Sequence, residues 1–261
     1  YEIVYWQQMH QNYSYLDSLY TSFDHAANRR FEQGESNYLE KLTAETKKKE
    51  ISLQLNQILE SLRKSYLVLN QWMQTDTVFE VSDKQFERIA LTPLDTMNHP
   101  GVNYYDDALK LSNRMLTLEK NKVLPDLNVS VFRGANNGIG NQTYWGVEVG
   151  VAIPLWFGSQ KSKIAAAKTD TYIMQYESNN YKVRLNSKYQ ELQSDLRQFE
   201  EGINYYESTG KELSEKTIFH AEQAFKSGEI DFLQYIQLLE NAKNIESNYL
   251  TSLFKYNMTV L

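Results

Sequence analysis

The chain has 261 residues, 41% of them hydrophobic and 23% charged, a balance that excludes wholesale disorder; four prolines and eleven glycines favour long uninterrupted elements. A net charge of −6, from 27 Lys+Arg against 33 Asp+Glu, argues against a nucleic-acid partner, which would call for a basic stripe. With no cysteine, disulfides, thiolate metal sites and Cys nucleophiles are excluded, and with no run near 18 apolar residues there is no membrane helix, which leaves spanning by strands open.

In chain order the pattern predicts helix, helix, irregular segment, helix, hairpin, helix, helix. Tyr1-Glu2-Ile3-Val4-Tyr5-Trp6 is neither a signal peptide nor a helix cap and reads as the interior of a longer polypeptide. Residues 1–33 form a Tyr-rich helix ending before Gly34. From Tyr38 to Trp72, Leu55, Ile58, Leu59, Leu62, Tyr66 and Leu69 fall at helical spacings. These two helices make up a hairpin over residues 1–75. Residues 76–98, with Pro93 and the Asn98-His99-Pro100 breaker, read as a linker or small packed excursion. Residues 99–126 carry a helix with Ala108, Leu111, Met115 and Leu118 on one face, stopped before Pro125.

The period then changes to two. Leu127, Val129 and Val131 alternate with Asn128 and Ser130, and a glycine- and asparagine-rich run from Arg133 to Gln142 follows. After it, Val147, Val149, Val151 and Ile153 oppose Gly146, Glu148, Gly150 and Ala152. Residues 127–157 are therefore a β-hairpin. Residues 158–261 are a second long helical hairpin. A helix from Ser159 to Gly210 carries an a/d seam of Tyr189, Leu192, Leu196, Phe199, Ile203 and Tyr206, and a last helix from Phe219 carries Leu238, Ala242, Ile245 and Tyr249. Such narrow stripes need antiparallel partners along their length.

A self-match organises the whole. Ala27-x-x-x-Phe31-x-x-Gly34-Glu35-x-x-Tyr38-Leu39 parallels Ala221-x-x-x-Phe225-x-x-Gly228-Glu229-x-x-Phe232-Leu233 at a constant offset of 194 residues. A repeat of that length is a duplicated domain-sized unit. In the second copy 129 residues separate His99 from Gly228, whereas 33 precede Gly34. The expectation is that about 96 residues of the first unit, its own hairpin included, lie upstream of Tyr1.

These features resemble the TolC-type outer-membrane efflux family. The resemblance rests on His99-Pro100 opening a helix, Pro125-Asp126-Leu127 opening a strand, Ile153-Pro154-Leu155-Trp156-Phe157-Gly158 closing the second strand, and the repeated A-x-x-x-F-x-x-G-E motif. It implies a mainly α fold of long antiparallel coiled-coil hairpins, with one β-hairpin contributing to a transmembrane barrel. The intact protein would be a trimer in the outer membrane with a periplasmic helical extension, and 76–98 would supply equatorial material. The family has two hairpins per protomer, so this chain alone cannot build the standard barrel. Function would be passive conduction of substrates, metal cations or drugs, expelled by an inner-membrane pump of the resistance-nodulation-division kind. The helix-to-helix bends would meet a periplasmic adaptor (membrane fusion) protein through Phe31, Gly34, Glu35, Phe225, Gly228 and Glu229. An aperture would form at Glu40, Thr43, Gln234 and Gln237, only one of which is acidic, so the gate would rest mainly on amide hydrogen bonds around Glu40.

The hairpin itself fits a barrel strand, which needs roughly 9–11 residues with alternating faces and interfacial aromatics. Ten residues, 146–155, lie between Tyr144-Trp145 and Trp156-Phe157, with Val147, Val149, Val151 and Ile153 toward lipid and Glu148 toward a wet lumen. The alternatives are a hairpin of a soluble sheet and, for the whole chain, a soluble coiled-coil scaffold without channel activity. Enzyme chemistry finds no support. His10, His25, His99 and His220 have no ligand spacing, Glu200-Glu201 and Asp106-Asp107 sit on helical patterns, and Gly134 to Gly140 lacks the ending of a phosphate loop. No cofactor is implied.

Overall fold

The computed structural model describes residues 1–75, 77, 79, 81, 86–92, 98–136, 138–140, 142–154 and 157–261. Most of segment 76–98, and Leu155 and Trp156 of the strand closure, lie outside the described residues. The elements are α1 (Glu2–Glu32), α2 (Tyr38–Met73), α3 (Pro100–Asn121), β1 (Asp126–Asn136), β2 (Gln142–Ala152), α4 (Phe157–Tyr205), a π-helical turn (Tyr206–Gly210), α5 (Lys211–Ser227) and α6 (Phe232–Val260). They divide into two units, residues 1–92 with 191–261, and residues 93–190.

In the first unit the helices lie side by side as α2, α1, α6 and α5 with the end of α4. The buried positions of α2, Ala44, Ile51, Ile58 and Ser65, recur every seven residues, the seam of a supercoiled pair. Ala44 and Ile51 meet Leu16, Tyr20, Phe23 and Ala27 of α1 and Ile236 of α6 in one cluster, and Ile58 meets Tyr5, Met9 and Leu250 in the next. Burying each large apolar side chain contributes roughly 1.5–3 kcal/mol, which is what holds helices with so narrow an apolar stripe. Polar contacts between the apolar layers set the register. The Tyr20 hydroxyl donates to Glu240, Lys48 pairs with Asp24 at 2.8 Å, and Asn12 reaches Ser247 at 3.5 Å. Burial first, and then the Glu240 hydrogen bond, push the Tyr20 phenol far above its ordinary value, so it stays protonated and keeps the proton it donates to Glu240.

Helix α6 has two seams. Ile245, Tyr249 and Ala242 face the α4–α5 side, where Tyr206 stacks on Tyr249 at 4.1 Å and the Ser214 hydroxyl donates to the Ala242 carbonyl at 3.0 Å. Ile236, Leu250 and Phe254 face α1 and its neighbours. Leu238, expected in the first seam, lies at its exposed edge, because the second seam turns the helix so that Leu239 is buried instead.

Gly210, expected to end the helix that starts near Ser159, does not. The helix runs through it to Ser227, absorbing one π-helical turn at Tyr206–Gly210. Gly210 is buried, and a Cβ there would lie 3.2 Å from the Ile245 side chain. The glycine permits close approach of α6, which in sequence looks the same as a stop signal.

The second unit holds α3, the hairpin and the first part of α4. His99 caps α3, its Nδ1 accepting the Gly101 N–H at 3.1 Å, with Pro100 in the first turn. Helices α3 and α4 meet through polar side chains. Ser112 contacts Thr171 at 3.2 Å, Lys182 pairs with Asp106 at 2.8 Å, and the Gln160 amide donates to Glu119 at 2.8 Å. Leu111, Met115 and Leu118, expected to pack, are exposed instead. Periodicity identified an apolar face on α3 but not the neighbour it meets.

The Asp106 contact has a pH signature. The Lys182 hydrogen bond holds the Asp106 carboxyl below its ordinary range. A depressed carboxylate stabilises the fold above its unfolded pKa, near 4, and loses that contribution as pH falls through the folded value. Protection against amide exchange in α3 and the facing turns of α4, taken relative to the intrinsic rate at each pH, should therefore fall below about pH 4, and Lys182→Met should remove that component.

Candidate functional site

Two features can act outside the core: the paired bends and the hairpin. Each bend begins with a glycine at φ +75°. At the first, the Glu35 N–H donates to the Arg30 carbonyl at 2.8 Å and the Gly34 N–H to Phe31 at 3.0 Å. At the second, Glu229 donates to Ala224 at 2.9 Å and Gly228 to Phe225 at 3.1 Å. Both are Schellman closures, in which left-handed glycine lets two successive N–H groups reach back over the last helical turn. Three residues after each glycine an N-cap follows. Asn37 accepts the Glu40 N–H at 2.9 Å, and Asp231 accepts the Gln234 N–H at 2.8 Å. Each of these groups has its counterpart 194 residues away, so the repeat is one of hydrogen-bonded geometry as well as of letters.

Gly34→Ala and Gly228→Ala should each destabilise the first unit by about 1–2 kcal/mol, the penalty for an L side chain in the left-handed region. No atom crowds either position, so the loss is one of backbone alone. Denaturant unfolding reads it, with Glu35→Ala, which keeps the backbone geometry, as the near-neutral comparison.

The bends come together at one end of their unit. Arg30, Asn37, Leu39, Glu40 and Thr43 from the first and Asp231 and Leu233 from the second line a solvent-open hollow of about 280 Å³. Phe225 stacks on Tyr235 at 4.8 Å, and Phe31 lies edge-on to Tyr38 at 5.9 Å with Lys41 over its ring. Glu35 and Glu229 are exposed, as are Tyr38 and Leu39. Of the four aperture candidates, Glu40 and Thr43 line the hollow, while Gln234 and Gln237 do not. Glu40 accepts from the Arg30 guanidinium at 2.8 Å. Gln234 spends its amide oxygen on the Asp231 N–H in a capping box, and Thr43 donates to the Leu39 carbonyl. Inside this chain, then, the partner of Glu40 is a guanidinium, not an amide.

In the hairpin the register pairs Leu127 with Val151, Val129 with Val149 and Val131 with Val147. Since side chains alternate across a strand, these six and Ile153 form one apolar face. All seven are exposed, Leu127 at 74% and Val129 and Val149 at 69%. Asn128, Ser130, Glu148 and Gly150 occupy the other face, with Phe132 and Tyr144 toward the turn. Among the described residues no helix is long and apolar enough to cross a membrane, and no group of three His, Asp or Glu could hold a metal ion.

The fold, long antiparallel helical hairpins with one antiparallel β-hairpin, resembles part of the fold of TolC-type outer-membrane channels. The chain superposes over 99% of its length on the Campylobacter jejuni CmeC outer membrane channel (TM-score 0.68, 13% identity) and covers 60% of it. It matches VceC from Vibrio cholerae (0.71, 14%, covering 99% of this chain and 67% of that one) and the outer-membrane channel OprN (0.73, 13%, 99% and 63%) in the same way. CmeC and OprN are outer-membrane channels and VceC is an outer membrane protein, and the chain spans about three fifths of the first of them. No family model and no curated protein matches the sequence.

Proposed function

We propose that the chain is part of one protomer of an outer-membrane channel, a passive conduit for metal cations or drugs expelled by an inner-membrane pump. The observation that carries this reading is the hairpin. Seven aliphatic side chains stand exposed on one face and a carboxylate, amide and hydroxyl on the other, the division a barrel strand between lipid and a wet lumen requires. A two-stranded sheet has unpaired edges, so in lipid it must be joined to further strands; a homotrimer with a second hairpin from each protomer would close it. The exposed apolar residues of α3, Leu111, Met115 and Leu118, support burial in an assembly.

The paired bends form the periplasmic tip of this channel. Phe31, Gly34, Glu35, Phe225, Gly228 and Glu229 offer a periplasmic adaptor two equivalent lobes, each a fixed turn with an exposed glutamate. Glu40, Thr43, Gln234 and Gln237 stand just behind and form the aperture between protomers. Three of the four carry no titrating group, and Glu40 is already paired to Arg30. Conductance of the reconstituted intact channel should vary little from pH 7 to the ordinary carboxylate pKa near 4; a steep change there would remove these residues from the gate. Fractionation of cells making the intact product tests the reading as a whole. Recovery in the outer membrane as an oligomer is expected, whereas recovery in the soluble periplasm would favour a coiled-coil scaffold.

A further inference from the structure

On the face of the hairpin opposite the valines, two aromatic rings lie flat on glycines of the neighbouring strand. Phe132 pairs with Gly146, and Gly134 with Tyr144. A Cβ on Gly146 would fall 2.5 Å from the tip of the Phe132 ring, and one on Gly134 would fall 2.6 Å from that of Tyr144. Each ring thus occupies the space its partner lacks. With the rings held against the backbone on one side, the two residues remain 48% and 55% exposed, so each ring keeps surface open to solvent. The two pairs are successive on that face, two residues or about 7 Å of strand apart. Glu148 is the next residue on the same face beyond Gly146, opposite Ser130, and is also exposed.

We infer that Phe132, Tyr144 and Glu148 form a recognition step on the channel wall for amphiphilic organic cations bearing aromatic rings. This rests on the hairpin facing a lumen, and it narrows the substrate class. Exposed ring faces attract cations through their quadrupole and stack on planar apolar groups, and a carboxylate one residue pair away supplies the counter-charge. A small hydrated metal ion gains little from the rings, and an anion is repelled by Glu148. Because the rings lie down on glycine rather than stand out from the sheet, they offer a surface without narrowing the duct.

The test uses the reconstituted intact channel in a planar bilayer. Its conductance in KCl is recorded first, and tetraphenylphosphonium, tetraphenylborate and tetraethylammonium are then added separately at the hairpin side. Tetraphenylphosphonium should produce concentration-dependent transient block, with tetraethylammonium at least fivefold weaker and tetraphenylborate inactive. Glu148→Gln, Phe132→Leu and Tyr144→Leu should each weaken the block several-fold relative to that variant's own open current. Phe132→Tyr and Tyr144→Phe, which keep the rings, should retain it. An open channel blocked alike by cation and anion, or block untouched in all three variants, overturns the inference and leaves the channel reading standing. Absence of any KCl conductance overturns the channel reading, and the inference with it.

Discussion

Val149→Arg should remove the intact protein from the outer membrane. Val149 sits opposite Val129 at the centre of the apolar ladder, so in a barrel its side chain points toward the bilayer midplane. A cation there costs about 2–4 kcal/mol per strand face, and in a homotrimer the cost is incurred in every protomer. Glu148→Arg, one residue away on the opposite face, keeps its charge in water and should assemble at close to the unmodified level. The comparison is quantitative: oligomer recovered in the outer membrane for each variant, normalised to total chain. Equal recovery of the two would show that the valine face does not meet lipid.

Asn257→Ala should release segment 86–89 from the helices beneath it. Asn257 is fully buried on α6, accepts the Ile89 N–H at 2.9 Å and donates to the Glu87 carbonyl at 2.8 Å, much as a neighbouring strand would. Between those two bonds Arg88 lies over the Tyr256 ring and pairs with Glu200, and Phe86 packs near Tyr5. Losing both bonds and leaving two backbone groups without partners should cost about 2–3 kcal/mol. Trypsin should then cut after Arg88 at least tenfold faster under native conditions. Asn257→Asp, which keeps the acceptor and loses the donor, should fall between. An unchanged cleavage rate in Asn257→Ala would mean that Arg88 and Phe86 hold the segment alone.

The bends and the hairpin were the legible parts, for the same reason. Their geometry depends on residue types that few others can replace. Glycine at the left-handed position, Asn or Asp three residues on, and an aromatic just after form a local code, and its recurrence at Gly34 and Gly228 shows in the letters. The alternation of Val147, Val149, Val151 and Ile153 is equally local. What could not be read was which neighbour a face meets. Leu111, Met115 and Leu118 announce an apolar stripe, yet α3 turns its polar side chains toward α4. The second seam of α6 was missed because Ile236, Leu239, Leu250 and Leu253 overlap the first in sequence. Asn257 left one signal: it continues the Leu250–Leu253 spacing with a polar residue where an apolar one would be expected. Its partners lie 168 and 170 residues away and have no local signature.

The most direct test of the account exploits the absence of cysteine in this chain. Single cysteines placed in turn at Asn128, Val129, Ser130, Val131, Val147, Glu148 and Val149 are exposed to a membrane-impermeant maleimide in native outer membranes. The account predicts labelling with a period of two: fast at Asn128, Ser130 and Glu148, and protected at Val129, Val131, Val147 and Val149. Uniform labelling, or protection at the polar positions instead, would contradict it.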